Sequence, residues 1–344
     1  MATRGVETDV KEGVMAGEEL KVATSLPSNF RIAEILPHGL KSPHPAAPAP
    51  SLGPLAAFVG NFHGNGFNTI FRPNSTQTPT PLPSGPAVGD NVLELNLTSE
   101  TLSFSSPLGS VPNRGMVQGD AFLNGVPYLQ SINDVTIAGQ STGIHLEPGL
   151  WVIVPPTTNP HEVTTLVRMA SIPHGTTILA QGTSKELNRG PNIPNNNILP
   201  FGVGGTPPPN SQFGTIAGTF TELKLSVPTA FRFKSPGVTQ AMVKNPNSVL
   251  KSAIQGQNIT HTTVLHVTTK HAPIKAGGTA NTAFLAAGSN PPGGNAKAVE
   301  VEATFWIEKV AGSNKLQLQY SQLVELDFNG LSWPHVTVAT LRKK

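Results

Sequence analysis

The chain of 344 residues lacks cysteine altogether, and it has little charge and few large aromatic side chains. Without cysteine it has no disulfide scaffold, no cysteine-bound zinc, no iron–sulfur cluster and no thiol nucleophile. Charged residues make up 12% of the chain, about half of the usual share for a folded domain, and the formal net charge is +3. Because only two Tyr and three Trp accompany the scattered basic residues, we expect no nucleic-acid-binding surface.

Long apolar runs are missing as well. No segment approaches the roughly 18 uninterrupted apolar residues that mark a membrane-spanning helix. The first twenty residues carry charges throughout and lack the apolar core of a signal peptide. We therefore expect a soluble, cytoplasmic protein that binds neither a membrane nor nucleic acid, and the sequence leaves its oligomeric state open.

Glycine and proline are abundant, with 34 and 33 residues, and both disfavour long helices. Apolar residues recur with a period of two instead. The clearest run is residues 316–328, where one face is nearly all apolar and the other mostly polar. It leads into Asn329-Gly330, a dipeptide favoured in type I′ turns, and then into a second run at residues 333–341. These residues predict a β-hairpin at the C-terminal end.

Further strand-like runs precede the hairpin, at residues 68–71, 92–97, 125–137, 150–154, 163–170, 176–182, 215–227, 260–269 and 298–310. Short strands separated by turn residues predict an all-β antiparallel barrel or sandwich, and we expect a closed, lipocalin-like barrel of about ten strands. It should span residues 51–344, after an extended arm at residues 1–50. Three stretches rich in Pro, Gly and Asn fit no strand and are interpreted as covering loops or insertions: residues 72–90, 182–212 and 270–295.

Two short motifs have simple structural explanations. Residues 139–143 satisfy the G-x-S-x-G pattern of a hydrolase, but Pro148 and a second strand follow where that motif requires a helix, so a connection between strands is favoured. His261, His266 and His271 are spaced by five, which puts neighbours on opposite faces of a strand. We therefore predict neither a serine nucleophile nor a histidine metal cluster, and we assign no catalytic residue.

Three other segments together resemble one family. The first is the turn and the G-x-F-x-G-x-G strand at residues 52–66, and the second joins GIHLEPGLW at 143–151 to PHGTTILAQG at 173–182. The third is WPHVTVATL at 333–341. In this order they resemble the nitrobindins, haem-binding β-barrels related in shape to the lipocalins. Phe62 stands where that family usually has Trp, and the chain is longer than the family's barrel by the arm and the three Pro/Gly/Asn-rich stretches.

The resemblance implies that His335 is the iron ligand of a b-type haem. On a strand, Trp333, His335, Thr337 and Ala339 share one face, and the small side chains of Thr337 and Ala339 leave room for a flat macrocycle. In a chain without cysteine an imidazole is the natural axial ligand of haem, and a single axial histidine leaves the sixth position of the iron open.

Two more residues complete the expected haem pocket. The resemblance places the strand of His145 against the pocket, where His145 could act as a distal group; structural hydrogen bonding of His145 and Glu147 is the alternative. Phe62 is expected to form a pocket wall, because burying an aromatic ring is favourable and burying an unpaired imidazole is not.

The function that follows from the resemblance is the binding of nitric oxide, or the isomerisation of peroxynitrite to nitrate, by ferric haem b. Peroxidase-like chemistry would use His145 as its acid–base group. The first alternative is a lipocalin-like carrier that holds an apolar small molecule without metal. The second is a structural or carbohydrate-binding sandwich, which only the Asn/Thr/Pro-rich composition favours.

Overall fold

The fold was analysed in a computed structural model that describes residues 48–73, 91–173, 175–213, 223–226, 235–271, 276–281 and 296–344. The predicted arm at residues 1–50 lies outside the described residues except for its last three, so its boundary stays a prediction. Most of the predicted strand at 215–227 also lies outside them, as do residues 74–90 and 282–295 of the predicted insertions.

The described residues form fifteen strands and a few short helices. The strands are β1 (Gly60–Pro73), β2 (Asn91–Phe104), β3 (Val111–Asn113), β4 (Ala121–Asp134), β5 (Thr142–Val154), β6 (Thr157–Thr158), β7 (His161–Glu162), β8 (Thr165–Ser171), β9 (Thr176–Leu187), β10 (Phe201–Gly202), β11 (Ile259–Thr268), β12 (Gly278–Asn281), β13 (Lys297–Val310), β14 (Leu316–Phe328) and β15 (Leu331–Lys343). The helices are α1 (Gln240–Lys244), α2 (Ser248–Ala253) and two 3-10 turns at Gly53–Ala57 and Asn210–Gln212.

Ten of the strands close into an antiparallel barrel, which confirms the predicted fold class. Their order is β1-β2-β4-β5-β8-β9-β11-β13-β14-β15, and β15 pairs back onto β1 to close the ring. The predicted hairpin is β14 and β15, and its turn residues Asn329 and Gly330 both have the positive φ, 48° and 75°, that a type I′ turn requires.

Two glycines make the closing seam between β1 and β15 possible. A Cβ on Gly64 would lie 2.0 Å from the carbonyl oxygen of Thr340, and one on Gly66 would lie 2.1 Å from that of Val338. Since no side chain fits at these distances, the G-x-G part of the first sequence segment is explained by the close approach of the two backbones.

Strand alternation sorts the buried side chains into two clusters. The barrel core lies on the inward face and includes Phe58, Phe62, Trp151, Phe305 and Leu341. The outer cluster lies on the opposite face of β1, β13, β14 and β15 and includes Phe67, Trp306 and Val338. Burial of each such side chain contributes about 1.5–3 kcal/mol.

The outer cluster is covered by described residues from two parts of the chain, 193–213 and 238–254, together with Leu223 and Leu225. Ile198, Leu199, Val243 and Leu250 are all buried in it, and the side-chain amide of Gln319 donates to the carbonyl of Leu250 at 3.0 Å. The predicted insertion at 182–212 is therefore correct in part: its first residues continue β9 to Leu187, and the rest covers the outside of the barrel wall. None of the helices in the described ranges is long and apolar enough to cross a membrane.

Leu250→Ala tests whether this cover is part of the cooperative fold. Because Leu250 is fully buried, we expect the free energy of unfolding to fall by about 2–5 kcal/mol in urea titrations followed by tryptophan fluorescence. Met116→Ala is the control, since Met116 is 99% exposed. A change in Leu250→Ala as small as that of the control would show that the cover does not stabilise the barrel.

Candidate ligand-binding site

The inward face of the barrel has an apolar part and a polar part. In the apolar part Phe58 stacks on Phe104 with ring centroids 4.4 Å apart, and Trp151 meets Phe305 edge-on at 5.1 Å. Phe62 lies here, edge-on to Phe104 at 6.0 Å and with no exposed surface. Packed aromatic rings therefore occupy the apolar part of the barrel interior.

A buried ion pair occupies the middle of the interior. Arg168 Nη2 lies 2.5 Å from Glu147 Oε1, and both side chains are almost completely buried. Tyr128 donates its hydroxyl proton to Glu147, Arg168 also donates to the Tyr128 oxygen at 2.9 Å, and Arg168 Nη1 donates to Gln322 Oε1 at 2.5 Å. The polar atoms of this group therefore satisfy one another, as buried charges require.

Burial alone would raise the pKa of Glu147. The charge of Arg168 and the hydrogen bonds from His145 and Tyr128 outweigh burial and lower this pKa to about 2. Glu147 therefore stays ionised at any physiological pH. His145 belongs to this group, with Nε2 at 3.1 Å from Glu147 Oε2.

A second buried carboxyl behaves in the opposite way. Burial raises the pKa of Glu100 to about 7, although Tyr320 donates to it at 2.5 Å and Thr98 at 2.8 Å. Gln130 links this carboxyl to Tyr320, to which it donates at 2.8 Å. No cation of the described residues has a hydrogen bond to Glu100, so its proton is held near neutral pH.

The His335 group forms the third polar part of the interior. His335 and Thr337 share the inward face of β15 with Ala339 and Leu341 of the barrel core. Asn68 reaches them across the seam from β1: its Nδ2 donates to Thr337 Oγ1 at 2.6 Å and lies 3.2 Å from His335 Nε2. His335 is partly buried, whereas Asn68 is only 4% exposed.

Two buried polar atoms beside this group have no hydrogen-bond partner among the described residues. They are Asn68 Oδ1 and Asn96 Nδ2. Asn96 faces Asn68 directly across the β1–β2 ladder and is 8% exposed. These cross-strand neighbours therefore leave one acceptor atom and one donor atom without a hydrogen-bond partner among the described residues, which a polar ligand would be able to satisfy.

The predicted site residues are only partly brought together. His335 and Thr337 meet through Asn68, and Ala339 lies two residues further along the same face. His145 binds Glu147, and Phe62 lies in the apolar part. Trp333 packs on Phe71 and Phe328 at 5.0 Å in the outer cluster, and its indole N–H donates to the carbonyl of Phe328 at 3.1 Å.

Sequence reasoning missed Asn68, Glu100 and Arg168. Each is a polar residue at an inward position of an alternating strand, which is the one signal that could have revealed it. The first three G-x-S-x-G residues lie in the exposed connection between β4 and β5, as predicted, and Thr142 and Gly143 begin β5.

No three His, Asp or Glu side chains of the described residues converge to hold a metal ion. Comparisons of the chain with protein-family models, with curated proteins and with solved structures found no match. The likeness to the nitrobindins therefore rests on the sequence motifs and on the closed ten-strand barrel, an architecture compatible with ligand binding.

Arg168→Met tests the buried ion pair. The substitution leaves the carboxylate of Glu147 buried without its cation, so we expect a loss of about 3–5 kcal/mol in the free energy of unfolding at pH 7. Arg114→Met is the control. Arg114 is an exposed side chain that pairs with Asp120, and exposed ion pairs contribute about 0–1 kcal/mol to the free energy of unfolding. Equal effects in the two variants would contradict the assignment. Urea unfolding measures both.

Glu100→Gln tests the raised pKa of Glu100. Between pH 4.5, the ordinary pKa of Glu, and about 7, the unfolded chain loses a proton that the folded chain keeps. Hence the free energy of unfolding should fall as pH rises through this window, by up to about 3 kcal/mol from this group.

The Gln variant should lose that part of the pH dependence when urea unfolding is compared at pH 5 and pH 8. Glu302→Gln is the control. A hydrogen bond from His266 lowers the pKa of Glu302, so removing this carboxyl should not reduce the fall in the free energy of unfolding between pH 5 and pH 8. Parallel pH profiles for the wild type and Glu100→Gln would refute the raised pKa.

Proposed function

We propose that this barrel binds a b-type haem at the His335 group, with His335 as the axial ligand of the iron. The observation that carries the proposal is the inward placement of a partly buried imidazole beside the small side chain of Thr337. The reaction we propose is the binding of nitric oxide or the isomerisation of peroxynitrite to nitrate, in keeping with the sequence resemblance.

The side chains around His335 fit this group chemically. A haem iron needs only one protein ligand on its proximal side, and imidazole supplies it. Thr337 and Ala339, which follow on the same strand face, have small side chains, and both are buried. A neutral amide lies beside the ring, with Asn68 Nδ2 3.2 Å from His335 Nε2.

The chemistry that haem supplies when bound is a Lewis-acidic iron with one open position. The chain's own residues hold and surround the group. His335 would hold the group through a ring nitrogen, and Thr337 accepts a hydrogen bond from the neighbouring amide of Asn68. Gln322, the cross-strand neighbour of Thr337, connects this end of the interior to the Arg168–Glu147 pair.

The Arg168–Glu147 ion pair affects the proposed site in two ways, through its charge and through its contact with His145. Because Arg168 and Glu147 use their hydrogen-bonding capacity on each other, on Tyr128 and on Gln322, they present no unbalanced charge to a bound molecule. His145 contacts the same carboxylate, with its Nε2 3.1 Å from Glu147 Oε2, so the ring that we propose as the distal group is held beside the ion pair.

A second candidate function is a carrier of a small organic molecule without metal. The unpartnered Asn68 Oδ1 and Asn96 Nδ2 favour it, since a ligand with one donor and one acceptor would satisfy both. Such a ligand is more polar than the apolar molecule that the sequence suggests.

Titration of the purified protein with hemin, followed by absorbance, tests the proposal. We expect a Soret band with the wild type and its loss in His335→Ala. His266→Ala is the control, because His266 is an exposed strand residue paired with Glu302 and should leave the band unchanged. A colourless wild type would refute haem binding and favour the carrier; a band that survives in His335→Ala would refute the assigned ligand.

A further inference from the structure

The chain contains three Asn-Gly dipeptides, at Asn65-Gly66, Asn124-Gly125 and Asn329-Gly330. An asparagine before glycine loses its side-chain amide most readily, because glycine has no side chain to hinder attack by its backbone nitrogen on the asparagine Cγ. The attack needs a nitrogen that gives up its proton, nearby water and a backbone that can rotate out of its folded conformation. The fold places the three dipeptides in different surroundings, so it decides which of them reacts first.

Asn124-Gly125 is held inside the sheet. Both residues are buried on β4, and Asn124 is 5% exposed. The Asn124 Nδ2 donates to the carbonyl of Pro50 at 2.7 Å, and Oδ1 accepts from Gly125 N at 2.9 Å and from Gly109 N at 3.1 Å. The Gly125 nitrogen therefore keeps its proton in a buried hydrogen bond, which disfavours the attack.

Asn65-Gly66 lies in the closing seam of the barrel. Gly66 is opposite Ala339 on one side and Thr98 on the other, and a Cβ on it would lie 2.1 Å from the carbonyl oxygen of Val338. The side chain of Asn65 is exposed, but its Nδ2 donates to the carbonyl of Thr98 at 3.2 Å. Rotation of this backbone would require both ladders of β1 to open.

Asn329-Gly330 forms the turn between β14 and β15. Both residues are exposed, and a Cβ on Gly330 would have no atom within 4 Å, so water reaches the space beside it. Opening of the turn disturbs the last ladder pair, Phe328 with Leu331, and the long hydrogen bond of 3.4 Å from Val203 N to the Gly330 carbonyl. Segments with few buried contacts open at the lowest free energy, so this dipeptide should be the first to rotate.

We propose that Asn329 is a self-modification site, at which the folded protein converts its own asparagine to aspartate and isoaspartate. The nitrogen of Gly330 attacks the Asn329 Cγ, a C–N bond forms, and the side-chain nitrogen leaves as ammonia. Water then opens the resulting five-membered succinimide at either of its carbonyls. Nothing is oxidised or reduced, and water is the only co-reactant. The inference is independent of the proposed function.

The conversion changes the hairpin. Isoaspartate lengthens the backbone of a two-residue turn by one methylene group, whereas the type I′ turn is set by the φ values of 48° and 75° at Asn329 and Gly330. Beside the turn, the indole N–H of Trp333 donates to the carbonyl of Phe328 at 3.1 Å. We therefore expect this end of β14 and β15 to be less stable in the modified protein.

The experiment follows all three asparagines in one sample of the full-length chain. The protein is incubated at pH 8, peptide mass spectrometry measures amide-to-acid conversion at each site, and an isoaspartate-specific methyltransferase detects the lengthened linkage. We expect conversion at Asn329 to be at least about tenfold faster than at Asn65 or Asn124, a ratio that corresponds to about 1.4 kcal/mol in the free energy of local opening. Incubation in urea is the control, since without the fold the three rates should agree within about threefold.

Asn329→Gly is the matched variant. Glycine adopts a positive φ without strain and has no amide to lose, so the turn is kept and the reaction is removed. The midpoint of urea unfolding should fall in the wild type after long incubation and stay unchanged in Asn329→Gly.

Each result decides the matter. Conversion at Asn65 or Asn124 as fast as at Asn329 in the folded protein would overturn the proposal, and so would an Asn329 that reacts in urea but not in the folded chain. Equal unfolding midpoints for fresh and modified wild type would overturn the effect on the hairpin. A failed hemin titration would leave this inference intact, because none of these measurements involves haem.

Discussion

The closure of the barrel between its first and last strands is the constraint on which the site depends. Residues 62–69 pair with residues 336–343, and Gly64 and Gly66 allow the two backbones to approach within a distance that excludes any side chain. This seam brings Asn68 to Thr337 and His335, which lie more than 260 residues away along the chain.

The interior also shows how a barrel can be filled without becoming wholly apolar. Aromatic rings occupy one part, whereas Arg168 and Glu147 neutralise each other in the middle. Glu100 avoids the cost of a buried charge in another way, by keeping its proton. The pKa values of two carboxyls in one barrel are therefore shifted in opposite directions: the hydrogen bonds and the charge of Arg168 outweigh burial at Glu147, whereas burial outweighs the neighbouring donors at Glu100.

The sequence alone predicts the architecture well, because a period of two is a local property. The hairpin of β14 and β15, the inward face that contains His335 and the closed barrel all follow from alternation and turn chemistry. The partners of His335 and Arg168 could not be predicted in the same way. They depend on which strands become neighbours and in what register, and a shift of one residue would turn Asn68 outward. Trp333 shares the parity of His335 but packs with Phe71 and Phe328 in the outer cluster, so strand alternation alone does not predict its surroundings.

The residues that cover the outer cluster make the packing density differ from one side of the barrel to the other. Strands β14 and β15 have packed side chains on both faces, whereas β4, β5, β8 and β9 expose Leu129, Leu146, Met169 and Leu179 on their outer side. Local opening is rarest where apolar contacts are densest, so the wall that presents His335 is the stiff side of the molecule. Side chains on β14 and β15 are therefore held between two packed layers, whereas those on the outer side of β4, β5, β8 and β9 have a packed layer on one side only.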